Sequence, residues 1–229
     1  MRGGDLIRGA VFALCAALSF ACTPPAAQGA ATSARTACPS TAELDAAPGL
    51  VRAGDAAALA AFRANAACHH WITFYFAAER MLANGERDEA VRWLYVGQIR
   101  GRTVAALDPS TPMMIGALQH VVGQPVNEYA GADLAKWVRT IDEAIAWDRA
   151  HPMQREGLVR VGQTIAPGAM SMSFEPGQPI PLERIGNVSA GAFDAAYAEQ
   201  RRGIAGLRDA LANQDPEEWR RQRRQNGLD

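Results

Sequence analysis

The chain has 229 residues and is nearly neutral, because 23 basic side chains stand against 24 acidic ones and leave a formal net charge of −1. Hydrophobic residues make up 48% of the sequence but aromatic residues only 7%, since alanine supplies much of the apolar fraction. Because the charge is balanced, the chain lacks the overall positive charge that is typical of nucleic-acid-binding domains, and this excludes nucleic-acid binding through general charge attraction. The alanine content favours helices, and the length suits one medium-sized domain.

Residues 1–21 have the layout of a bacterial export signal. Arg2 and Arg8 flank the start of an apolar run over residues 9–21. This run is shorter than the roughly 20 residues that a membrane-spanning helix needs. We therefore predict a cleaved signal peptide and an exported protein.

Two cleavage sites fit this signal. Residues 18–22 (Leu-Ser-Phe-Ala-Cys) resemble a lipobox, in which Cys22 is lipidated and becomes the mature N-terminus. The alternative is cleavage by signal peptidase I within residues 26–32, which releases a soluble periplasmic protein. Lipidation is our leading interpretation. It implies an outer-membrane lipoprotein facing the periplasm, because Thr23 does not resemble the aspartate of an inner-membrane retention signal.

The remainder divides into a tether and a domain. Residues 22–37 are rich in alanine, threonine, proline and serine and predict a flexible tether, whereas residues 38–229 predict a single helical domain. Cys38 and Cys68 remain as an even pair in an oxidising compartment, so we predict a disulfide between them. Such a bridge stabilises a fold by about 2–4 kcal/mol. Two separate buried thiols are the alternative.

Helix signals occupy the first half of this domain. Residues 40–43 form a capping-box pattern that starts one helix, and a second helix should cover residues 55–65. Apolar residues then repeat at helical spacing over residues 71–82, and the Asn-Gly pair at 84–85 ends that helix. The next helix should cover residues 86–107 and complete a helical hairpin.

The second half contains further helices. With Ser110 as its N-cap, a helix should run to about residue 122, where the Gly-Gln-Pro sequence at 123–125 breaks it. Residues 132–150 carry a clear apolar stripe and predict another helix. Helix returns over residues 189–213, and Asp215-Pro216 caps a last, charged helix.

Residues 153–187 interrupt this pattern. They are rich in proline and glycine, lack a helical period and contain only brief β-like runs such as residues 158–161. A stretch of this length is uncommon inside a compact domain unless it is functional, so it is the leading candidate for a contact surface. The predicted fold class is therefore all-α: a compact helical bundle built on αα-hairpins, with this one irregular excursion.

Residues 77–102 resemble one tetratricopeptide repeat. The positions at which that repeat carries characteristic small and large residues are occupied here by Ala78, Gly85, Ala90, Leu94 and Gly97. The resemblance implies a packed helical hairpin. No second copy occurs at the family's period of about 34 residues, and an array needs about three copies, so we expect a hairpin within a globular bundle.

The helix over residues 86–107 also suggests a packing face and a binding surface. Gly97 and Gly101 lie one turn apart and should let a neighbouring helix approach closely. A second group of residues either lines an interaction groove beside the hairpin or forms a solvated face. This group comprises Tyr95, Gln98, Arg100 and Arg102. Trp219 in the arginine-rich tail is a further binding candidate, and we expect it to dock on the bundle.

Cys68, His69 and His70 form the most suggestive cluster for metal chemistry, because thiolate and imidazole are ligands for zinc or copper. Neighbouring residues on a helix point about 100° apart, so ligands would have to come from elsewhere. Candidates for those ligands are His120, His151 and Glu79. His69 and His70 are therefore weak metal candidates. A disulfide cysteine beside two histidines near a helix end explains the same residues.

No recognised hydrolase, nucleotide-binding or dinucleotide-binding motif occurs in the sequence. We therefore expect no enzymatic activity and no cofactor. The leading function is a cell-envelope protein that binds an envelope protein or peptide, anchored in the membrane through Cys22. The alternatives are a periplasmic inhibitor or immunity-type protein, and an envelope enzyme or metal-binding protein that uses the region around Cys68, His69 and His70.

Overall fold

The computed structural model describes residues 38–162 and 179–228, which belong to one compact unit spanning residues 36–229. Within the described ranges the chain forms nine α-helices and one small antiparallel sheet. The helices are α1 (Thr41–Ala53), α2 (Ala56–Asn65), α3 (Trp71–Ala83), α4 (Arg87–Leu107), α5 (Pro112–Leu118), α6 (Gln124–Ala130), α7 (Leu134–Ala150), α8 (Ala190–Ala212) and α9 (Pro216–Gln225). The predicted all-α class is confirmed. The export signal, Cys22 and the tether lie outside the described residues.

Capping residues explain where the helices begin. Ser40, Asp55, Asp133, Ser189 and Asp215 each accept a hydrogen bond from a backbone N–H in the first turn of the helix that follows. These bonds satisfy amide groups that have no partner inside the helix. The predicted starts of α1, α2, α8 and α9 are therefore confirmed.

Helices α3 and α4 form the predicted hairpin, and small residues set their spacing. A Cβ atom placed on Gly97 would lie 3.0 Å from the Cβ of Phe74, and one placed on Gly101 would lie 2.8 Å from the Trp71 ring. The predicted close approach at this face is confirmed. Gly85, with a φ of +84°, makes the left-handed turn between the two helices.

Helix α4 occupies the centre of the bundle. It packs against α3 on one side and against α7 and α8 on others, and α5 and α6 also contact it. Most of its side chains from Ala90 to Val104 are buried, including several polar ones. A helix surrounded in this way has little surface left for solvent, so its polar residues need partners inside the protein.

The predicted break at residues 123–125 is wrong. After α5, the backbone makes a π-helical turn over Gln119–Gly123 and continues directly into α6. Pro125 has no N–H and its ring clashes with a carbonyl oxygen in a regular α-helix, whereas a wider turn before it accommodates both effects. Ser110 is also not the N-cap of α5. Thr111 holds that position, while the Ser110 hydroxyl donates a 2.6 Å hydrogen bond to Asp108.

The described parts of the irregular segment pack against the hairpin. A short 3-10 turn at Arg155–Gly157 leads into strand β1 (Val159–Val161), which pairs antiparallel with β2 (Leu182–Arg184). The Trp71 indole donates a 2.9 Å hydrogen bond to the Val159 carbonyl. The predicted β-like run therefore includes a strand, and it is attached to the start of α3. Residues 163–178, which belong to the predicted irregular segment, lie outside the residues that the structure describes.

The predicted disulfide joins Cys38 to Cys68, whose Cα atoms lie 5.6 Å apart. Cys68 ends a 3-10 turn, Ala66–Cys68, that connects α2 to α3. The bridge thus links Cys38, three residues before the start of α1, to the turn that precedes the hairpin. Among the described helices we find none whose length and apolar content would let it cross a membrane.

The close packing at Gly101 leads to a stability prediction. Gly101→Ala should lower the free energy of unfolding by about 1–3 kcal/mol, because the new methyl group overlaps the Trp71 ring and Ile115. Gly203→Ala on α8 is the control, since a Cβ there meets no described atom within 4 Å. It should raise stability by up to about 1 kcal/mol through helix propensity. Urea unfolding of both variants measures the difference, and equal effects would contradict the packing argument.

Candidate functional site

One buried carboxylate connects three helices. Asp148, near the end of α7, is fully buried and accepts hydrogen bonds from three side chains. Arg100 of α4 donates to Oδ1 over 3.1 Å, and Tyr197 of α8 donates to the same oxygen over 2.8 Å. Arg201 of α8 donates to Oδ2 over 2.8 Å. We call these four residues the Asp148 cluster.

Aromatic rings and backbone groups surround the two guanidinium groups of the cluster. The Arg100 guanidinium lies 4.7 Å from the Phe74 ring centre and 5.1 Å from that of Trp147, and its Nη2 donates to the His151 carbonyl over 2.5 Å. Arg201 lies over the Tyr197 ring at 3.9 Å. Cation–π contacts of this kind stabilise a guanidinium group that is removed from water.

The Asp148 cluster has an excess of positive charge. Burial, with the Asp148 carboxylate as a further cause, raises the pKa of Tyr197 to about 12, so at neutral pH its hydroxyl stays protonated and donates to Asp148. Two guanidinium groups therefore share one carboxylate. The charges of Arg100 and Arg201 exceed that of Asp148 by one unit.

An open cleft of about 380 Å³ lies outside this cluster, and we call it the outer cleft. One wall is the chain over residues 152–156, and the other is the first half of α8. Tyr197 and Arg201 belong to its lining, so two members of the Asp148 cluster are also part of the cleft. The Tyr197 hydroxyl accepts a 2.9 Å hydrogen bond from the Met153 amide, which joins the two walls.

A second space of about 50 Å³, the inner cavity, lies on the other side of Met153 and Gln154, which line both. Its remaining lining residues are Ala67, His69, His70, Trp71, Arg100, Gly157, Leu158 and Val159. Gln154 and Gly157 are exposed and form the rim, whereas Arg100 is 1% exposed. Arg100 thus belongs to both the Asp148 cluster and the inner cavity.

The two histidines of the inner cavity differ in their partners. His70 forms a 2.8 Å contact with Asp45, which also accepts a 3.0 Å hydrogen bond from Arg184. Burial lowers the pKa of His70, although Asp45 acts in the opposite direction. Burial and the neighbouring His70 lower the pKa of His69 to about 4, so His69 is neutral at neutral pH.

Neither ring nitrogen of His69 has a hydrogen-bond partner of good geometry in the described part of the chain, although the Ala61 backbone favours its protonated form. The same holds for Nη1 of Arg100, which is buried without a partner among the described residues. Buried polar groups are usually paired, so these three nitrogen atoms are exceptions among the buried polar groups of the protein.

The structure does not bring the metal candidates together. Cys68 is held in the disulfide, and His70 is paired with Asp45. His151 stacks on the Trp147 ring at 4.5 Å, and Glu79 pairs with Arg52. Residues 38–162 and 179–228 contain no group of three or more histidine, cysteine, aspartate or glutamate side chains that could hold a metal ion.

The predicted surface on α4 is wrong for three of its four residues. Tyr95, Gln98 and Arg100 are buried, because other helices cover α4 on several sides. The Tyr95 hydroxyl donates to Asn127 over 3.1 Å, and Gln98 donates to Gln119 over 3.3 Å. Their polar atoms are thus used inside the bundle. Arg102 is only partly buried.

Trp219 docks on the bundle as predicted. Its indole nitrogen donates a 2.7 Å hydrogen bond to the Gly131 carbonyl, and its ring lies 6.1 Å from that of Trp137. Since one edge of the ring is packed and its N–H is used, the exposed part is small. Trp219 therefore has a structural role in attaching α9.

A further cleft of about 180 Å³ lies beside α6 and α7. Its polar side chains are paired with one another: Lys136 contacts Asp88 over 2.6 Å, and the Tyr129 hydroxyl donates to Asp88 over 2.7 Å. These contacts lower the pKa of Asp88 and raise that of Lys136. Because its charged side chains are paired with one another, this cleft has fewer unpaired charged groups for a ligand than the outer cleft has.

Sequence reasoning missed Asp148, Tyr197 and Arg201. The sequence did contain a signal for Asp148, because it falls seven residues after Ile141 and three after Ile145, on the apolar stripe of α7. A charged residue on a buried stripe requires a buried partner. The identity of that partner depends on the packing of α4 and α8.

The chain folds as a helical bundle, but comparison with known proteins assigns it to no family. No family model matches the chain, and no solved structure matches it. An uncharacterized protein of Haemophilus influenzae is 38% identical over 86 residues, which is 36% of this chain and 34% of that protein. The match thus spans about a third of the relative's length. The tetratricopeptide resemblance stays a prediction.

We expect the Asp148 cluster to contribute strongly to the free energy of unfolding. Asp148→Asn should lower the free energy of unfolding by about 3–5 kcal/mol, because it leaves two guanidinium groups without a counter-charge, one of them fully buried. Asp142→Asn, on the same helix, removes an exposed partner of Arg208 and should cost no more than about 1 kcal/mol. Denaturant unfolding compares the two variants, and similar losses would argue against a special role for the cluster.

Proposed function

We propose that the protein is a non-enzymatic binding module of the bacterial cell envelope, and that its outer cleft receives a peptide segment of an envelope partner. The observation that carries this proposal is the composition of the cleft: Tyr197 and Arg201 line it and are held in place from beneath by a buried carboxylate. Donors and rings that are already ordered lose little conformational entropy when a ligand binds.

The lining of the outer cleft suits an extended peptide. Phe193 and Met153 supply apolar surface, while charged side chains of both signs surround it. Arg155 pairs with its neighbour Glu156, but exposed Asp194 has no ion-pair partner in the part of the chain that the structure describes. An apolar peptide side chain beside a basic one would complement this surface.

Two observations support the envelope as the location. Residues 1–21 have the pattern of an export signal. The Cys38–Cys68 disulfide is the kind of bond that persists in an oxidising compartment and is rare in the cytosol. In this proposal Cys22 carries the lipid anchor, and the outer cleft faces the periplasm.

The cleft can be tested with peptides selected from a random phage-displayed library on the disulfide-bonded mature chain. Asp194→Arg should weaken the selected peptides by about tenfold or more, because it reverses an unpaired charge in the cleft. Glu199→Arg is the control, since Glu199 lies on the same helix but does not line the cleft. Equal binding by both variants, or no selected peptide at all, would contradict the proposal.

The anchor can be tested by the intact mass of the protein from a native membrane fraction. We expect a chain that begins at Cys22 and carries acyl groups, and that gains the mass of two hydrogens on reduction of the Cys38–Cys68 bond. An unacylated chain that begins between residues 27 and 33 would instead indicate signal peptidase I cleavage. In that case the lipid anchor is wrong and the protein is a free periplasmic one.

A further inference from the structure

The excess positive charge of the Asp148 cluster reaches solvent at Arg201, on the wall of the outer cleft. The Arg201 side chain is 23% exposed and belongs to the lining of this cleft. Arg100 is 1% exposed, and Asp148 is fully buried. A ligand in the outer cleft therefore meets the cationic side of the cluster, while the carboxylate that orders it stays out of reach.

One nitrogen of the Arg201 guanidinium is left for a ligand. Nε donates to Oδ2 of Asp148 over 2.8 Å, and Nη2 donates to the Asp148 backbone carbonyl over 2.9 Å. Nη1 makes no hydrogen bond within the described chain and keeps accessible surface, unlike Nη1 of Arg100, which is buried. The bonds to Asp148 and the Tyr197 ring fix the guanidinium, so Nη1 is an ordered donor that solvent can reach.

A charge of the opposite sign lies two turns away on the same face of α8. Asp194 is exposed, lines the outer cleft and precedes Arg201 by seven residues. Seven residues make almost two full helical turns, so the two residues share a face and lie about 10 Å apart along the helix axis. Tyr197 lies between them on that face and also lines the cleft. This wall therefore has an acidic end, an aromatic middle and a basic end.

The other charges around the cleft do not cancel this arrangement. Arg155 and Glu156, on the opposite wall, contact each other over 3.1 Å and so neutralise each other. The N-terminus of α8 carries a partial positive charge that disfavours a bound cation, but this effect falls off within the first turn. Asp194 is the fifth residue of α8 and lies beyond that turn. The acidic end of the wall thus remains attractive to a cation.

We propose that the outer cleft recognises a peptide segment with a basic residue and an acidic residue three positions apart. This inference rests on the proposed function and specifies its ligand. The basic side chain pairs with Asp194, and the carboxylate accepts a charge-assisted hydrogen bond from Nη1 of Arg201. In a polyproline II conformation, residues three apart share a side and lie about 9 Å from each other, which matches the spacing on α8. An apolar side chain between them packs on Tyr197.

Peptides selected by phage display on the disulfide-bonded mature chain test this pattern. We expect the selected sequences to be enriched in a basic and an acidic residue three positions apart. One such peptide is then synthesised in three forms: as selected, with the acidic residue replaced by its amide, and with the acidic residue moved one position closer to the basic one. Calorimetric titration should show that each change weakens binding by about tenfold or more.

Variants of the protein assign the two ends. Arg201→Gln should bind the acidic and amide peptides equally, whereas Arg202→Gln should keep their difference, because Arg202 pairs with Glu199 and does not line the cleft. Asp194→Lys should weaken the selected peptide by about tenfold and bind better a peptide whose basic residue is replaced by an acidic one. If Arg201→Gln fails to fold, the acid-to-amide change, the shifted acidic residue and the Asp194→Lys rescue decide the result.

The outcomes separate this inference from the proposed function. Peptides that Asp194→Arg weakens and Glu199→Arg does not, but that bind equally as acid and amide or with the acidic residue shifted, would overturn the charge pattern and leave the cleft as a peptide site. An acid–amide difference that survives Arg201→Gln, or no rescue by Asp194→Lys, would place a charged group elsewhere and also overturn the pattern. If no peptide is selected, both proposals are wrong.

Discussion

The carboxylate of Asp148 is the interaction on which the rest of the structure depends. Burying a charge is costly unless its partners are supplied at good geometry, and here Arg100, Tyr197 and Arg201 supply them from α4 and α8. These bonds form only when α4, α7 and α8 have one relative register. Apolar contacts tolerate small shifts, whereas this hydrogen-bonded cluster does not. We infer that the cluster selects a single arrangement of the three helices.

The other constraints act on the opposite side of α4. Gly97 and Gly101 let α3 lie so close that no side chain fits between the two helices, and the Trp71 indole then reaches the Val159 carbonyl of β1. The Cys38–Cys68 bond ties the segment that precedes α1 to the turn that precedes α3. Together these contacts hold the hairpin, the small sheet and the start of the domain around one central helix.

The same cluster connects the stability of the fold with the proposed binding surface, the outer cleft. Tyr197 and Arg201 line the outer cleft, so two of the cluster's four members also border the space that the proposed ligand enters. Met153 lies between this cleft and the inner cavity and is attached to Tyr197 through its amide. A ligand in the outer cleft would therefore contact groups whose positions are set by the fold, which reduces the entropy lost on binding.

The sequence by itself determined the elements that depend on near neighbours: the helix starts at Ser40 and Ser189, the hairpin turn at Gly85 and the all-α class. Its cysteine count also predicted the disulfide. Only the tertiary structure decided which polar residues are buried, because Arg100 meets an acidic partner 48 residues away. Capping and apolar spacing are local effects, while burial depends on which distant helices cover a face.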